Sequence, residues 1–286
     1  MNEPILSARG LVQDFSARGA GWWRRGTVRA IDVVDLDVRE GEALAIVGES
    51  GSGKSSLARL LLALARPTAG TIAYRGTLIS ALSRAQRRTY RRDVQAVFQD
   101  PAASLNPRMR VEQILSYVVL EHGLATRDTV RRTMEAQLEA VGLSPAASFL
   151  SRFPHQLSGG QQQRIAIARA LSLRPRLIIA DEPLSSLDIT VQTQLLELIA
   201  ELRLRSGIGF VLISHDLGAV ESIADRVAVM YRGRIVEQGA HILSHPQHPY
   251  TRALLDAKLI PDPRLARARA HETCGEAIAC HLVQTN

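Results

Sequence analysis

A mostly parallel α/β sheet is the fold this sequence predicts, on three observations. Apolar runs at 43–47, 177–180 and 209–214 are too short for a buried helix and read as strands covered on both faces. A helical pattern at 191–204, with Leu195, Leu196, Ile199 and Leu202 on one stripe, separates the last two runs. Strand, helix, strand in that order implies a parallel crossover. Each run also ends at residues that carry chemistry: a glycine-rich loop, then Asp181-Glu182, then His215-Asp216. In open parallel sheets ligands bind beyond the carboxyl ends of the strands, so these three endings are expected along one edge.

In chain order, the first run leads into Gly48-Glu49-Ser50-Gly51-Ser52-Gly53-Lys54-Ser55, which matches G-x-x-x-x-G-K-[ST]. Glycines there let backbone N–H groups close on phosphate oxygens, while the lysine reaches the β/γ-phosphates and the hydroxyl suits Mg²⁺. Residues 55–65, with leucines at 57, 60, 61 and 64, predict a helix whose N-terminus faces those phosphates. Arg84, Arg87, Arg88, Arg91 and Arg92 fit one solvated helix face better than a nucleic-acid surface. From about 101 to 160 the pattern changes to an inserted helical subdomain, with 111–121 and 130–141 its clearest helices. Leu157-Ser158-Gly159-Gly160-Gln161 precedes a further helical pattern, where Ser158 can cap an anion-binding N-terminus. Residues 227–231 and 234–237 flank Arg232-Gly233 and predict a hairpin. Residues 1–260 thus form the predicted domain, and 261–286, polar and poorly periodic, a loosely ordered tail.

The chain has 286 residues, 46% of them apolar, enough for a sizeable core. Its longest apolar stretches fall well below the roughly 18 residues that span a bilayer. Met1-Asn2-Glu3-Pro4 shows no secretory pattern, and with only Cys274 and Cys280 a reducing, cytoplasmic setting is expected. His271, Cys274, Cys280 and His281 do not follow a zinc-site spacing. A net charge of +7 permits nucleic acid, anionic lipid or nucleotide as partner and does not choose among them.

Taken together, residues 48–55, Gln99, 157–161, Asp181-Glu182, Asp188 and His215 resemble the full motif set of ATP-binding-cassette ATPases. Val97-Phe98-Gln99-Asp100-Pro101, Ser104-Leu105-Asn106-Pro107 and Gln247-His248-Pro249-Tyr250-Thr251 resemble the ATPase subunits of oligopeptide, dipeptide and nickel importers. The resemblance implies a P-loop NTPase cassette: a mostly parallel sheet core, antiparallel β elements and the inserted helical subdomain. It implies ATP and Mg²⁺ as cofactors, the nucleotide held by Gly48 to Ser55 with Ser56, and the metal by Ser55, Gln99 and Asp181. Lys54, Glu182 and His215 become the catalytic residues, Glu182 polarising the attacking water and His215 acting near the γ-phosphate. Ser158, Gly159, Gly160, Gln161 and Asp188 are implied to contact nucleotide, the first four reaching the γ-phosphate held by a second ATPase subunit. Phe15 is the implied adenine-stacking residue, with Trp22 and Trp23 as alternatives.

By the same resemblance the partners are two membrane permease subunits, a second ATPase subunit in a homo- or heterodimer, and an external solute-binding protein reached through the permease. The chain would sit peripherally on the cytoplasmic face of the membrane, with no specific nucleic acid expected. Two cysteines are too few for the iron–sulfur cluster attributed to longer-tailed relatives, and Ser186 stands where the subfamily often has alanine. Two alternatives stay open: a soluble ATPase acting on nucleic acid or ribosomes, and the ATPase of an exporter. The importer-like segments and the lack of a heptad arm weigh against the first. Cargo, whether peptide, nickel chelate or another small solute, is not encoded in these motifs.

Overall fold

In the computed structural model, which describes residues 3–18, 25–185 and 187–258, two sheets share a core around one helix. The chain opens with β1 (Pro4–Arg18) and β2 (Arg25–Arg39), a long antiparallel ribbon paired from Pro4↔Arg39 to Arg18↔Arg25. It then enters β3 (Ala43–Val47) and α1 (Lys54–Leu61). β4 (Ala69–Tyr74) and β5 (Thr77–Leu78) return to the ribbon, giving an antiparallel sheet of order β2-β1-β4-β5.

α2 (Arg84–Asp93) leads to β6 (Val94–Val97), and four helices follow: α3 (Pro101–Ser104), α4 (Val111–Glu121), α5 (Val130–Ala140) and α6 (Ala147–Leu150). α7 (Gly159–Leu171) feeds β7 (Leu177–Asp181), and α8 (Ile189–Ser206) crosses over to β8 (Gly209–Ser214). α9 (Leu217–Glu221), the hairpin of β9 (Arg226–Tyr231) and β10 (Arg234–Gly239), and α10 (Pro249–Lys258) complete the described chain. The second sheet has the order β10-β9-β3-β8-β7-β6, parallel except where β10 runs antiparallel to β9.

Side-chain alternation explains how this sheet is buried on both faces. Leu44 and Ile46 of β3, Ile179 of β7, and Val211 and Ile213 of β8 point into the core shared with α1 and the antiparallel sheet. Their neighbours Ile178, Ala180, Phe210 and Leu212 point the other way, into a core with α4, α5, α7 and α8. On β3 and β9 that opposite face is instead covered by Leu217, Val220, Ile242 and Tyr250.

The expected strands and the hairpin are present, and three details differ from the sequence reading. α1 stops at Leu61: Ala63 turns to φ +53°, its N–H donating to Leu60 O and that of Leu64 to Arg59 O, which closes the helix end and leaves Leu64 exposed. In α8 the buried stripe is Leu195, Leu198, Ile199 and Leu202, with Leu196 only partly covered, because a helix face follows a period of 3.6 residues. The strands of the antiparallel sheet were not individually legible. The five arginines of α2 are exposed, as a solvated face requires, while Tyr90 on the opposite side is buried. Trp22, Trp23, Ser186, both cysteines and the tail lie outside the described residues.

Candidate active site

Parallel register brings the chemistry-bearing residues to one edge. Val47 of β3 is level with Ser214 of β8, Ile213 with Asp181 of β7, and Ala180 with Val97 of β6. Gly48, His215 and Glu182 therefore follow adjacent strand ends, as the sequence reading required, and Gln99 joins them at the end of β6, a strand that it did not predict.

The loop between β3 and α1 is shaped by two glycines against β2 and β9. Gly48 (φ +150°) and Gly53 (φ +108°) are in conformations that side chains rarely adopt, and a Cβ at either would collide with a backbone carbonyl oxygen, of Met230 and Ala30 respectively. Within the loop Ser52 N–H donates to Glu49 O at 3.2 Å, and Gly233 N–H, from the β9–β10 turn, donates to Ser52 O at 2.9 Å. Gly53 is the N-cap of α1, so the orphan N–H groups of that helix open toward the loop.

Lys54 is almost fully buried, and its ammonium donates to Gly48 O at 2.7 Å and Glu49 O at 2.8 Å. Burial pushes its pKa below the usual lysine value, opposed by the nearby carboxylates of Glu182, Asp181 and Glu49. One residue on, Ser55 Oγ–H donates to Asp181 Oδ1 at 3.0 Å, joining the start of α1 to the end of β7. Burial raises the Asp181 carboxyl above its ordinary value; Glu182 adds to the rise, and the Ser55 hydrogen bond with Arg59 and Lys54 opposes it. Ser56 follows in the first turn of α1, half-buried.

Glu182 adopts a left-handed backbone, φ +48°, held by its N–H donating to Ile213 O at 3.0 Å. For a residue with a side chain this conformation costs on the order of 1 kcal/mol and persists only where the surroundings impose it. It leaves Glu182 Oε2 3.4 Å from His215 Nδ1, with the imidazole more than half exposed and the carboxylate largely covered. Gln99 is exposed just past β6. A lysine, a serine–aspartate pair, and a glutamate beside a histidine at one sheet edge form a set suited to phosphoryl chemistry: cationic charge for phosphate, hard oxygens for a metal, and a carboxylate for water.

The remaining candidates lie on other elements. Ser158 caps α7, accepting from Gln161 N–H at 3.3 Å, and Gln161 Oε1 accepts from Ser158 N–H at 3.1 Å. Gly159 and Gly160 pack against Leu187 and Val191 of the same chain. Asp188 caps α8 through Val191 N–H at 3.0 Å, so its carboxylate already has a structural use. Phe15 is 42% exposed and pairs with Val28, two residues along β2 from Ala30, whose carbonyl closes on Gly53. An aromatic face is thus available beside the loop.

One contact was not foreseen. Glu49 N–H, in the glycine-rich loop, donates to the phenol oxygen of Tyr250 at 3.2 Å. The sequence signals the segment containing Tyr250, but no local pattern connects it to a loop 201 residues away.

The comparisons with known proteins agree with this fold. A family model described as ABC transporter matches residues 31–185. YkfD of Bacillus subtilis, named as an oligopeptide transport ATP-binding protein, is 46% identical over 269 residues, covering 93% of this chain and 80% of that protein. The glutathione import ATP-binding protein GsiA of Salmonella typhimurium is 46% identical over 271 residues, 93% of this chain but 43% of GsiA. Among solved structures, the dimeric post-hydrolysis state of the ATP-binding cassette MJ0796 bound to ADP and Pi superposes with a TM-score of 0.72 at 27% identity, covering 82% of this chain and 98% of that one. Motif order, sheet topology and these similarities converge: this chain belongs to the ABC transporter family, as an ATP-hydrolysing subunit.

Proposed function

We propose that this protein powers an importer for peptides or a related small solute, such as a nickel chelate, by ATP hydrolysis at the edge formed by β3, β6, β7 and β8. The observation that carries the chemistry is the convergence of Lys54, the Ser55–Asp181 pair and the Glu182–His215 pair at that edge. Similarity to YkfD and GsiA supports the cargo class.

In this reading the ammonium of Lys54 reaches the β/γ-phosphates with its third donor, joined by backbone N–H groups of the loop that follow Glu49. Ser55 Oγ and Asp181 Oδ1, hard oxygens 3.0 Å apart, fit Mg²⁺, with Gln99 as a further ligand; when bound, the ion neutralises phosphate charge. Glu182 orients and polarises the attacking water, and His215, 3.4 Å from its carboxylate, holds that carboxylate and reaches the γ-phosphate. Phe15 stacks on adenine.

Ser158 and Gly159 are exposed at the N-terminus of α7, a geometry suited to the γ-phosphate held by a second ATPase subunit, identical or homologous. We assign residues 1–260 to the ATPase domain, about 101–160 to its helical subdomain and 261–286 to a tail. A groove lined by Met109, Gln113, Ser116, Tyr117, Leu120 and Glu121, with Tyr117 66% exposed, suits a contact with one of two permease subunits. The subunit then sits peripherally on the cytoplasmic face; among the described residues no helix is long and apolar enough to cross a membrane.

Closure by ATP is effective only because the closed dimer binds ATP more tightly than the open one. Affinity capture of the Glu182→Gln protein with ATP from native membranes tests the assignment. Recovery of two polytopic membrane proteins and a second ATPase is expected, and recovery of ribosomes or nucleic acid without a membrane protein overturns it.

A further inference from the structure

We propose that Tyr250 is a positioning residue for nucleotide binding: its phenol fixes the Gly48–Glu49 peptide, so that the C-terminal element around it sets how tightly the glycine-rich loop holds a triphosphate. The proposal rests on the reading of residues 48–55 as the triphosphate loop.

The peptide between Gly48 and Glu49 is tied at both of its polar ends. Its carbonyl, Gly48 O, accepts from Lys54 Nζ at 2.7 Å, and its N–H, on Glu49, donates to Tyr250 Oη at 3.2 Å. The ammonium has three N–H donors, two of them given to Gly48 O and Glu49 O, and the third is available to a phosphate. As the ammonium is drawn toward the β/γ-phosphates its hold on the carbonyl end weakens, and the phenol keeps the peptide plane in place by its other end. The loop then keeps the shape in which its following N–H groups face the ligand, and less conformational freedom has to be lost on binding.

The phenol is placed by rigid surroundings. Tyr250 is 1% exposed, and its ring centroid lies 4.2 Å from that of Tyr231, the last residue of β9. Its own N–H donates to His248 Nδ1 at 3.1 Å, and Pro249 opens α10. Glu237 of β10 accepts from the N–H groups of Gln247 and His248 at 2.8 and 3.1 Å. The same hairpin reaches the loop again through Gly233 N–H to Ser52 O at 2.9 Å. The glycine-rich loop is therefore gripped at Glu49 by the C-terminal helix and at Ser52 by the hairpin to which that helix is fastened.

Tyr250→Phe in the full chain tests this, since phenylalanine keeps the ring against Tyr231 and removes only the oxygen. Titration calorimetry with the slowly hydrolysed analogue ATP-γ-S is expected to show about five-fold weaker binding, ~1 kcal/mol, because a loop no longer ordered in advance must lose that backbone freedom on binding. The rate at saturating ATP is expected to stay at the wild-type level, and the unfolding temperature without nucleotide to fall by no more than about 2–4 °C, whereas a merely structural role would lower the unfolding temperature and leave the ATP-γ-S affinity unchanged. Equal ATP-γ-S affinity in the two proteins overturns the proposal. Should the variant be too unstable to titrate, amide exchange in the nucleotide-free wild type decides: a protected Glu49 N–H supports the proposal, and exchange at the rate of an open loop overturns it. Failure of the wild type itself to bind ATP-γ-S overturns the phosphate-loop reading and, with it, the role of Tyr250.

Discussion

Replacing Asp181 by asparagine should stabilise the nucleotide-free protein while nearly abolishing turnover. Asparagine Oδ1 can accept the 3.0 Å hydrogen bond that Ser55 Oγ–H now gives to Asp181, so the link between α1 and β7 survives and only the charge is lost. That charge is unfavourably placed: burial first, and Glu182 second, raise the Asp181 carboxyl above its ordinary value of 3.8. A carboxyl raised in the folded state contributes its full stability below its unfolded pKa and loses it as pH rises through the folded value. At neutral pH the ionised group therefore works against folding, and asparagine relieves it. Repulsion between neighbouring carboxylates in a partly solvated site amounts to ~1 kcal/mol, which in a chain of this size moves the unfolding midpoint by about 2–4 °C.

The catalytic consequence runs the other way. Metal stabilisation of a phosphoryl transition state is worth several kcal/mol, and losing about 3–4 kcal/mol lowers the rate by about 10²–10³-fold. Thermal unfolding without nucleotide, at neutral pH and again below about pH 4, is paired with phosphate release under Mg-ATP. The variant should melt higher than wild type at neutral pH, the gap should close in acid, and hydrolysis should be lost. A variant that melts lower at neutral pH refutes the electrostatic reasoning, and one that still hydrolyses ATP refutes the metal role of Asp181.

Glu182→Gln should leave ATP binding within about two-fold while lowering turnover at least ~10²-fold, as expected for a group that acts on the attacking water; parallel calorimetry and phosphate release separate the two, and unchanged hydrolysis removes Glu182 from the mechanism. Phe15→Ala should weaken ATP by ~1–3 kcal/mol while leaving binding of inorganic triphosphate unaltered, because stacking acts on the base alone; equal ATP affinity excludes Phe15 as the adenine platform. Glu237 is held below the ordinary glutamate value of 4.5: burial raises its pKa, but Thr251 and the Gln247 and His248 N–H groups outweigh it. Its contribution is present above 4.5 and is lost as pH falls through the lowered folded value, so exchange of the 247–250 amides should rise in that acid window. In Glu237→Gln those amides should exchange faster already at neutral pH; a wild-type profile in that variant refutes the anchor.

Several parts of this fold were legible because their signals are local. β3, β7 and β8 announce themselves as apolar runs with chemistry at their ends, and parallel register alone then gathers the phosphate loop, Asp181-Glu182 and His215 at one edge. The cap at Ser158 is written in the residue directly before its helix. β1 was harder to read, since register shifts between Ala8 and Leu11 and between Leu11 and Gln13 break its alternation, and Gly10 bends it at φ +56°. β4 offers only Ile72 and Tyr74 to the core, too few to set a period.

By itself the sequence determined the order of motifs, the parallel sheet and the identity of the phosphate loop, because glycine spacing and apolar periodicity act over a few residues. Tertiary structure decided the carbonyl partners of Lys54, the backbone that carries Glu182 to His215, and the grip of Tyr250 on Glu49. Those depend on side chains that meet only after the sheet has assembled, so the geometry of each exists in the packed molecule and in no stretch of chain taken alone.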